Sequence, residues 1–128
     1  MIRFCDKEIC CVLENELDWQ QMLDYFLDWH TEEKIYIIDE TGKYVGSVDY
    51  NALFGIVPEK EKAVHVESMV LEGNKNICIV KDYLSLDKTI WENGHKYFQK
   101  CPFRLLPVLD EEQHLICFAW KQGTSHAG

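Results

Sequence analysis

The chain has no concentration of positive charge. Its 13 Lys and Arg residues are outnumbered by 22 Asp and Glu, and they stand singly among acids. A nucleic-acid backbone is held by clustered basic side chains, so a net charge of −9 argues against such a surface and leaves small molecules or proteins as partners. No stretch approaches the ~20 apolar residues of a membrane-spanning helix, and Met1–Glu8 holds no apolar run of signal-peptide length. The expected location is therefore cytoplasmic, with no membrane partner. No Cys-x-x-Cys occurs among the six cysteines, and the five histidines show no ligand-like pairing, which argues against structural zinc. In a reducing compartment, Cys10, Cys11, Cys78 and Cys117, each inside an apolar run, read as small core residues rather than disulfide partners. Gly-rich phosphate loops, a Gly-x-Ser-x-Gly elbow and a His-Glu-x-x-His motif are all missing, so enzymatic activity is not expected.

What the chain does contain is a repeat. Ile35–Asp39, the turn Glu40–Lys43 and Tyr44–Asp49 recur as Leu106–Asp110, Glu111–His114 and Leu115–Trp120. The two turn aspartates, Asp39 and Asp110, lie 71 positions apart, and the same offset carries Trp19, Phe26 and Leu27 onto Ile90, Tyr97 and Phe98. Ile9–Val12 matches Ile77–Val80 at an offset of 68, which makes Ile77–Val80 the expected first strand of the second copy. Neither copy is large enough to bury a core alone, so 128 residues at 47% hydrophobic composition fit one domain built from two similar units.

Local signals fill in each unit. Ile9–Leu13 reads as a short buried strand. Asp18 with Gln21 has the form of a helix start, and Trp19, Met22, Leu23, Phe26 and Leu27 then mark one apolar face running to about His30, with Asp24 and Asp28 toward solvent. Gly42 can supply the positive φ that a tight hairpin requires. A short helix near Asp49 and Tyr50 carries Ala52, Leu53 and Phe54 back to the sheet and stops before Gly55 and Pro58. The second copy enters through a turn around Val66–Leu71 and crosses a turn at Gly73–Asn76; Ser85 then caps a helix containing Leu86, Ile90, Tyr97 and Phe98. These limits divide the chain into residues 9–57, a polar connector at 58–63, residues 64–122 and a fraying tail at 123–128.

A strand, a helix, a hairpin with a turn aspartate and a short helix, given twice, resemble the CBS domain pair, or Bateman module. Residues Ile37–Gly46 and Leu106–Glu111 carry the likeness best. It implies an α+β fold of tandem β-α-β-β-α repeats about a pseudo-twofold axis. It also implies a regulatory module, often a homodimer, acting on an attached or larger effector protein. Adenosine-type ligands such as AMP, ATP or S-adenosylmethionine are bound by many such modules, and no cofactor is required.

In that family the ribose is commonly held by a Thr or Ser three residues after the hairpin glycine and an Asp three residues later. Counted from Gly46, these positions are Asp49 and Ala52; in the second copy Cys117 replaces the glycine, and they fall on Trp120 and Gly123. The candidate ligand residues are Tyr36, Ser47, Asp49, Arg104 and Trp120, and most have a plain structural reading beside the functional one. Asp49 can bond a ribose or cap the helix that follows it. Tyr36 can stack on a base or be a half-buried strand residue. Arg104 can meet a phosphate or lie solvated on a rim, and Trp120 can fill its own cleft. The alternative function is a ligand-free dimerisation or docking module with side-chain-filled clefts, and Trp29 and Tyr25 are candidates for its pairing face. His30–Glu33 and the pair Glu92 and His95 suggest metal or acid–base sites, against ordinary polar surface.

Overall fold

The structure is a computed structural model that describes residues 2–5, 9–57, 65–85 and 105–121, with side chains given for 9–57, 65–85 and 105–119. The polypeptide forms two compact units, residues 9–81 and a second made of the N-terminal segment with residues 82 onward. Both are α+β or β structures built on mixed sheets.

In the 9–81 unit a five-stranded sheet forms, taking β1 as the N-terminal strand Ile2–Cys5 of the other unit. Along the chain come β2 (Cys11–Leu13), helix α1 (Trp19–Tyr25), β3 (Ile35–Ile38), β4 (Tyr44–Val48), β5 (His65–Leu71) and β6 (Lys75–Lys81). The spatial order is β2-β3-β4-β6-β5, with β2 parallel to β3 and the other pairs antiparallel. Alternation sorts the faces: Ile35, Ile37, Val48, Ile77 and Ile79 join Met22, Phe26, Ala52 and Leu53 in one core. Each large aliphatic or aromatic side chain so buried contributes about 1.5–3 kcal/mol.

Helix α1 starts as its sequence dictates. Asp18 Oδ1 accepts the Gln21 N–H at 2.9 Å, and Met22 and Phe26 are buried. The regular α-turns end at Tyr25, where a wider π-turn takes Phe26–His30, with Asp28 and Trp29 leaving helical geometry. The extra residue per turn shifts the helical register, so Leu27, expected on the apolar face, is 59% exposed. A 3-10 turn at Ala52–Phe54 follows β4 and ends at Gly55, whose φ of 78° makes it a left-handed cap.

The second sheet has the order β1-β9-β8-β7, where β7 is Leu84–Ser85, β8 is Leu105–Leu109 and β9 is Leu115–Lys121. Its connectivity repeats the first. β7 runs parallel to β8 with Leu84 opposite Val108, just as Val12 of β2 faces Ile37 of β3, and Ile37 and Val108 are related by the 71-residue offset. The first strand of the second copy is therefore Leu84–Ser85, and Ile77–Val80 is not its counterpart. Ile77–Val80 lies in β6, antiparallel to β4, with Val80 opposite Ser47; the equivalent pairing in the second sheet is β1 on β9, where Cys5 faces Phe118. The match of Ile77–Val80 to Ile9–Val12 reflected two short apolar strand runs with different partners, a distinction composition does not carry. Val66–Leu71, expected as a turn, is most of β5, paired along its full length with β6. The connector at 58–63, the helix after Ser85 and the tail at 123–128 lie outside the described residues.

Both hairpins close on the same device. Asp39 Oδ1 accepts from the Thr41 hydroxyl at 2.7 Å and from the Thr41 and Lys43 N–H groups at 2.9 and 3.0 Å; Asp110 Oδ1 accepts from the Glu112 and His114 N–H groups, both at 2.9 Å. The left-handed residue the turn demands is Gly42 in the first copy, with φ 87°, and Gln113 in the second, with φ 69°. The Thr41 hydroxyl and Lys43 N–H hold the Asp39 carboxyl below the usual carboxylate range, and the His114 and Glu112 N–H groups do the same for Asp110. A carboxylate with a depressed folded pKa stabilises the fold above its unfolded pKa, and that stabilisation disappears as pH falls through the folded value. The melting temperature of wild type should therefore exceed that of Asp39→Asn near neutrality, with the gap closing below about pH 4. A gap that stays constant through the acid range would refute this role.

Candidate functional site

The strand register brings the first-repeat candidates together. Cys11, Tyr36, Ser47 and Val80 form one rung across β2, β3, β4 and β6, on the face that alternates away from Ile35, Ile37 and Val48. Asp49 follows two residues after Ser47, at the end of the same strand. Tyr36 is 3% exposed and Ser47 4%, so both are packed strand residues. The Ser47 hydroxyl donates to the Val80 carbonyl at 3.3 Å and ties β4 to β6.

Asp49 is engaged by its own backbone. Its Oδ1 accepts the Ala52 N–H at 2.7 Å, and its carbonyl accepts the Leu53 N–H at 3.2 Å. This is the capping arrangement that starts the turn carrying Ala52 and Leu53 into the core. The Trp19 indole N–H bonds the Leu53 carbonyl at 2.8 Å, while its ring meets Phe54 edge-on and lies under the Lys75 ammonium. Ala52 stands where the resemblance would place a ribose-binding carboxylate. It is a buried alanine with no acceptor to offer. Beside Asp49, the Cys78 thiol is pushed up in pKa by burial and then by the Asp49 charge, which keeps it protonated.

In the second repeat, Trp120 lies in β9 opposite Leu105 of β8, and Arg104 and Gly123 fall outside the described residues. Cys117 faces Val108 as Gly46 faces Ile37, so the replacement of the hairpin glycine is at an equivalent position. His30 is spoken for locally. Its ring stacks on Tyr25 with centroids 4.3 Å apart, and its Nδ1 contacts the Glu33 carboxylate. Among the described residues no group of three or more His, Cys, Asp or Glu side chains is arranged to hold a metal ion. Glu92 and His95 lie outside the described residues.

An open cleft of ≈ 730 Å3 lies elsewhere on the 9–81 unit, with Val12 and Val70 among its apolar lining and Glu14, Glu16, Asp18 and Glu72 among its acids. The signal for its chemistry was the acidic alternation at positions 14, 16 and 18. Its other wall comes from the end of β5 and the turn after it, which the sequence did not place nearby.

Compared with known proteins, the chain matches no family model and no curated sequence. Solved structures supply the likeness. The cytosolic domain of the Mg2+ channel MgtE, in complex with ATP, matches over 88% of this chain with TM-score 0.54 and 20% identity, and this chain spans 42% of that one. A CBS domain-containing protein from Thermotoga maritima matches over 91% of this chain and 82% of its own, with TM-score 0.55 and 19% identity. A CBS domain pair/ACT domain protein from Thermotoga maritima matches over 90% and 84%, with TM-score 0.56 and 16% identity. The fold of this chain is that of a CBS domain pair. No helix among the described residues is long and apolar enough to cross a membrane.

If Asp49 is a capping residue, Asp49→Ala should destabilise the fold by about 0.5–2 kcal/mol, while Asp49→Asn or Asp49→Ser should retain most of the stability. Denaturant midpoints at constant slope measure this, and an Asp49→Ala variant as stable as wild type would refute the capping role.

Proposed function

We propose that the chain is a non-enzymatic regulatory module of the CBS-pair type, located in the cytoplasm, that acts through contacts with another protein rather than through a nucleotide held in its first-repeat cleft. The observation that carries this reading is the use of Asp49 as the cap on the Ala52 N–H, with Ala52 itself buried in the core. A ribose needs a free acceptor for its hydroxyls, and here the acceptor present already holds a backbone N–H while the second position has none. Ser47, bonded to the Val80 carbonyl and buried, supports the same reading.

A second reading is that the module senses an adenosine-type ligand. Its support is the MgtE cytosolic domain, a protein of the same fold whose structure was determined in complex with ATP. Tyr36, Ser47 and Asp49, with Arg104 and Trp120 from the other repeat, are then the residues proposed to contact it. A ligand could regulate only through different affinities for two arrangements of the module.

Melting curves with AMP, ATP, adenosine and S-adenosylmethionine separate the two. Ligand at about 100 times its dissociation constant adds roughly 2.7 kcal/mol of stability, which a melt resolves readily. No shift is expected with any of the four. A shift would overturn the first reading, and its loss in Asp49→Ala, judged against that variant's own baseline, would place Asp49 in the ligand site.

We also propose that the module is a homodimer, as modules of this type often are. Sedimentation at micromolar concentration should give twice the 15.1 kDa chain mass. A monomer at that concentration would refute the dimer.

A further inference from the structure

Trp29 carries two penalties at once. It is 94% exposed, and its backbone sits at φ 71°, in the left-handed region that bulky residues avoid. An exposed indole gains nothing from folding, and glycine or asparagine would take that backbone conformation more readily. The conformation is nonetheless fixed from both sides. Tyr25 stacks on His30, the Tyr25 hydroxyl donates to Glu33 Oε2 at 3.3 Å, His30 contacts the same carboxylate, and the Glu33 N–H bonds the His30 carbonyl at 3.0 Å. Trp29 thus projects from a braced turn, the pre-organised aromatic anchor that protein interfaces favour.

The charge around it states what it fits. Between Lys7 and Lys34 the chain has no Lys or Arg, while Glu14, Glu16, Asp18, Asp24, Asp28, Glu32 and Glu33 are all acidic. Asp28, Glu32 and Glu33 flank the indole and are exposed, as is Asp24 on the preceding helix. A second copy of the chain would bring the same acids against themselves, so this surface disfavours self-association through Trp29. We infer that Trp29 and its acidic surround are a docking site for a basic protein segment, one that offers an apolar pocket or an Arg plane to the indole and Lys or Arg to the carboxylates. The inference takes its setting from the docking reading above, but its test is separate: a nucleotide-induced melt shift would sink that reading and leave the outcome below unchanged.

The test selects short random peptides displayed on phage against the full chain, with counter-selection on Trp29→Ala. Enriched peptides should be rich in Lys and Arg, bind wild type at least about tenfold more tightly than Trp29→Ala, and weaken as salt is raised. Trp29→Gly serves as a second variant that suits the left-handed backbone; it should melt no lower than wild type and show the same loss of binding. Peptides without a basic excess, or basic peptides that bind both variants as tightly as wild type, would overturn the inference. So would a wild-type dimer that becomes monomeric in both Trp29 variants, which would make a second copy the occupant.

Discussion

The 9–81 unit depends on one close approach, β6 passing over Gly46. A β-carbon at that position would lie 2.2 Å from Cγ2 of Ile79 and 3.1 Å from the Val80 carbonyl oxygen. Glycine leaves the space that Ile79 fills, and β6 can then lie beside β4 and bring Ile77 and Ile79 into the core with Phe26, Ile37 and Leu53. Without β6 the sheet would end at β4, and β5, which pairs only with β6 among the described strands, would have nothing to join. The Ser47–Val80 hydrogen bond and the Trp19 indole over the Ala52–Phe54 turn hold the two flanks of this junction. Cys117 at the equivalent place in the second sheet shows that the constraint belongs to this junction and not to the hairpin itself.

The residues at the expected ribose positions have been absorbed into the fold. Asp49 satisfies a turn that would otherwise leave a backbone N–H without a partner, and Ala52 supplies core volume. A carboxylate at position 52 would have to be buried among Met22, Phe26 and Leu53, where an unpaired charge is costly. Keeping this turn packed and keeping a ribose acceptor there are competing demands, and the chain meets the first.

Much of this was legible in the sequence, for identifiable reasons. The Asp39 and Asp110 turns could be read because a side-chain acceptor two residues before a donor is a local device, settled within five residues. Gly42, Gly55 and the Asp18 cap were readable on the same ground. What failed was non-local. Ile77–Val80 has the composition of the strand it was matched with, and only its partner, β4 rather than β8, distinguishes it. β1 was missed because Ile2–Cys5 is four residues long and acquires its identity from β9 at the far end of the chain. The π-turn at Phe26–His30 left no periodic trace, because one added residue at the end of a short helix resembles continuation until Leu27 turns outward. At the candidate site, the likeness located the right strand end, but the state of Asp49 could be known only from the geometry of the N–H it accepts.

The pairing of β1 with β9 bears on how the molecule is made. Residues 9–81 contain every strand of their own sheet, so that sheet can close while the ribosome is still adding the rest. The second sheet cannot. Its outer strand β1 emerges first of the nine, and its partner β9 emerges last, with the entire 9–81 unit between them. During synthesis β1 is therefore an unsatisfied strand tethered to an otherwise finished unit, and the stretch of time for which it must be kept from wrong partners is set by the elongation of the chain rather than by the speed of its own folding.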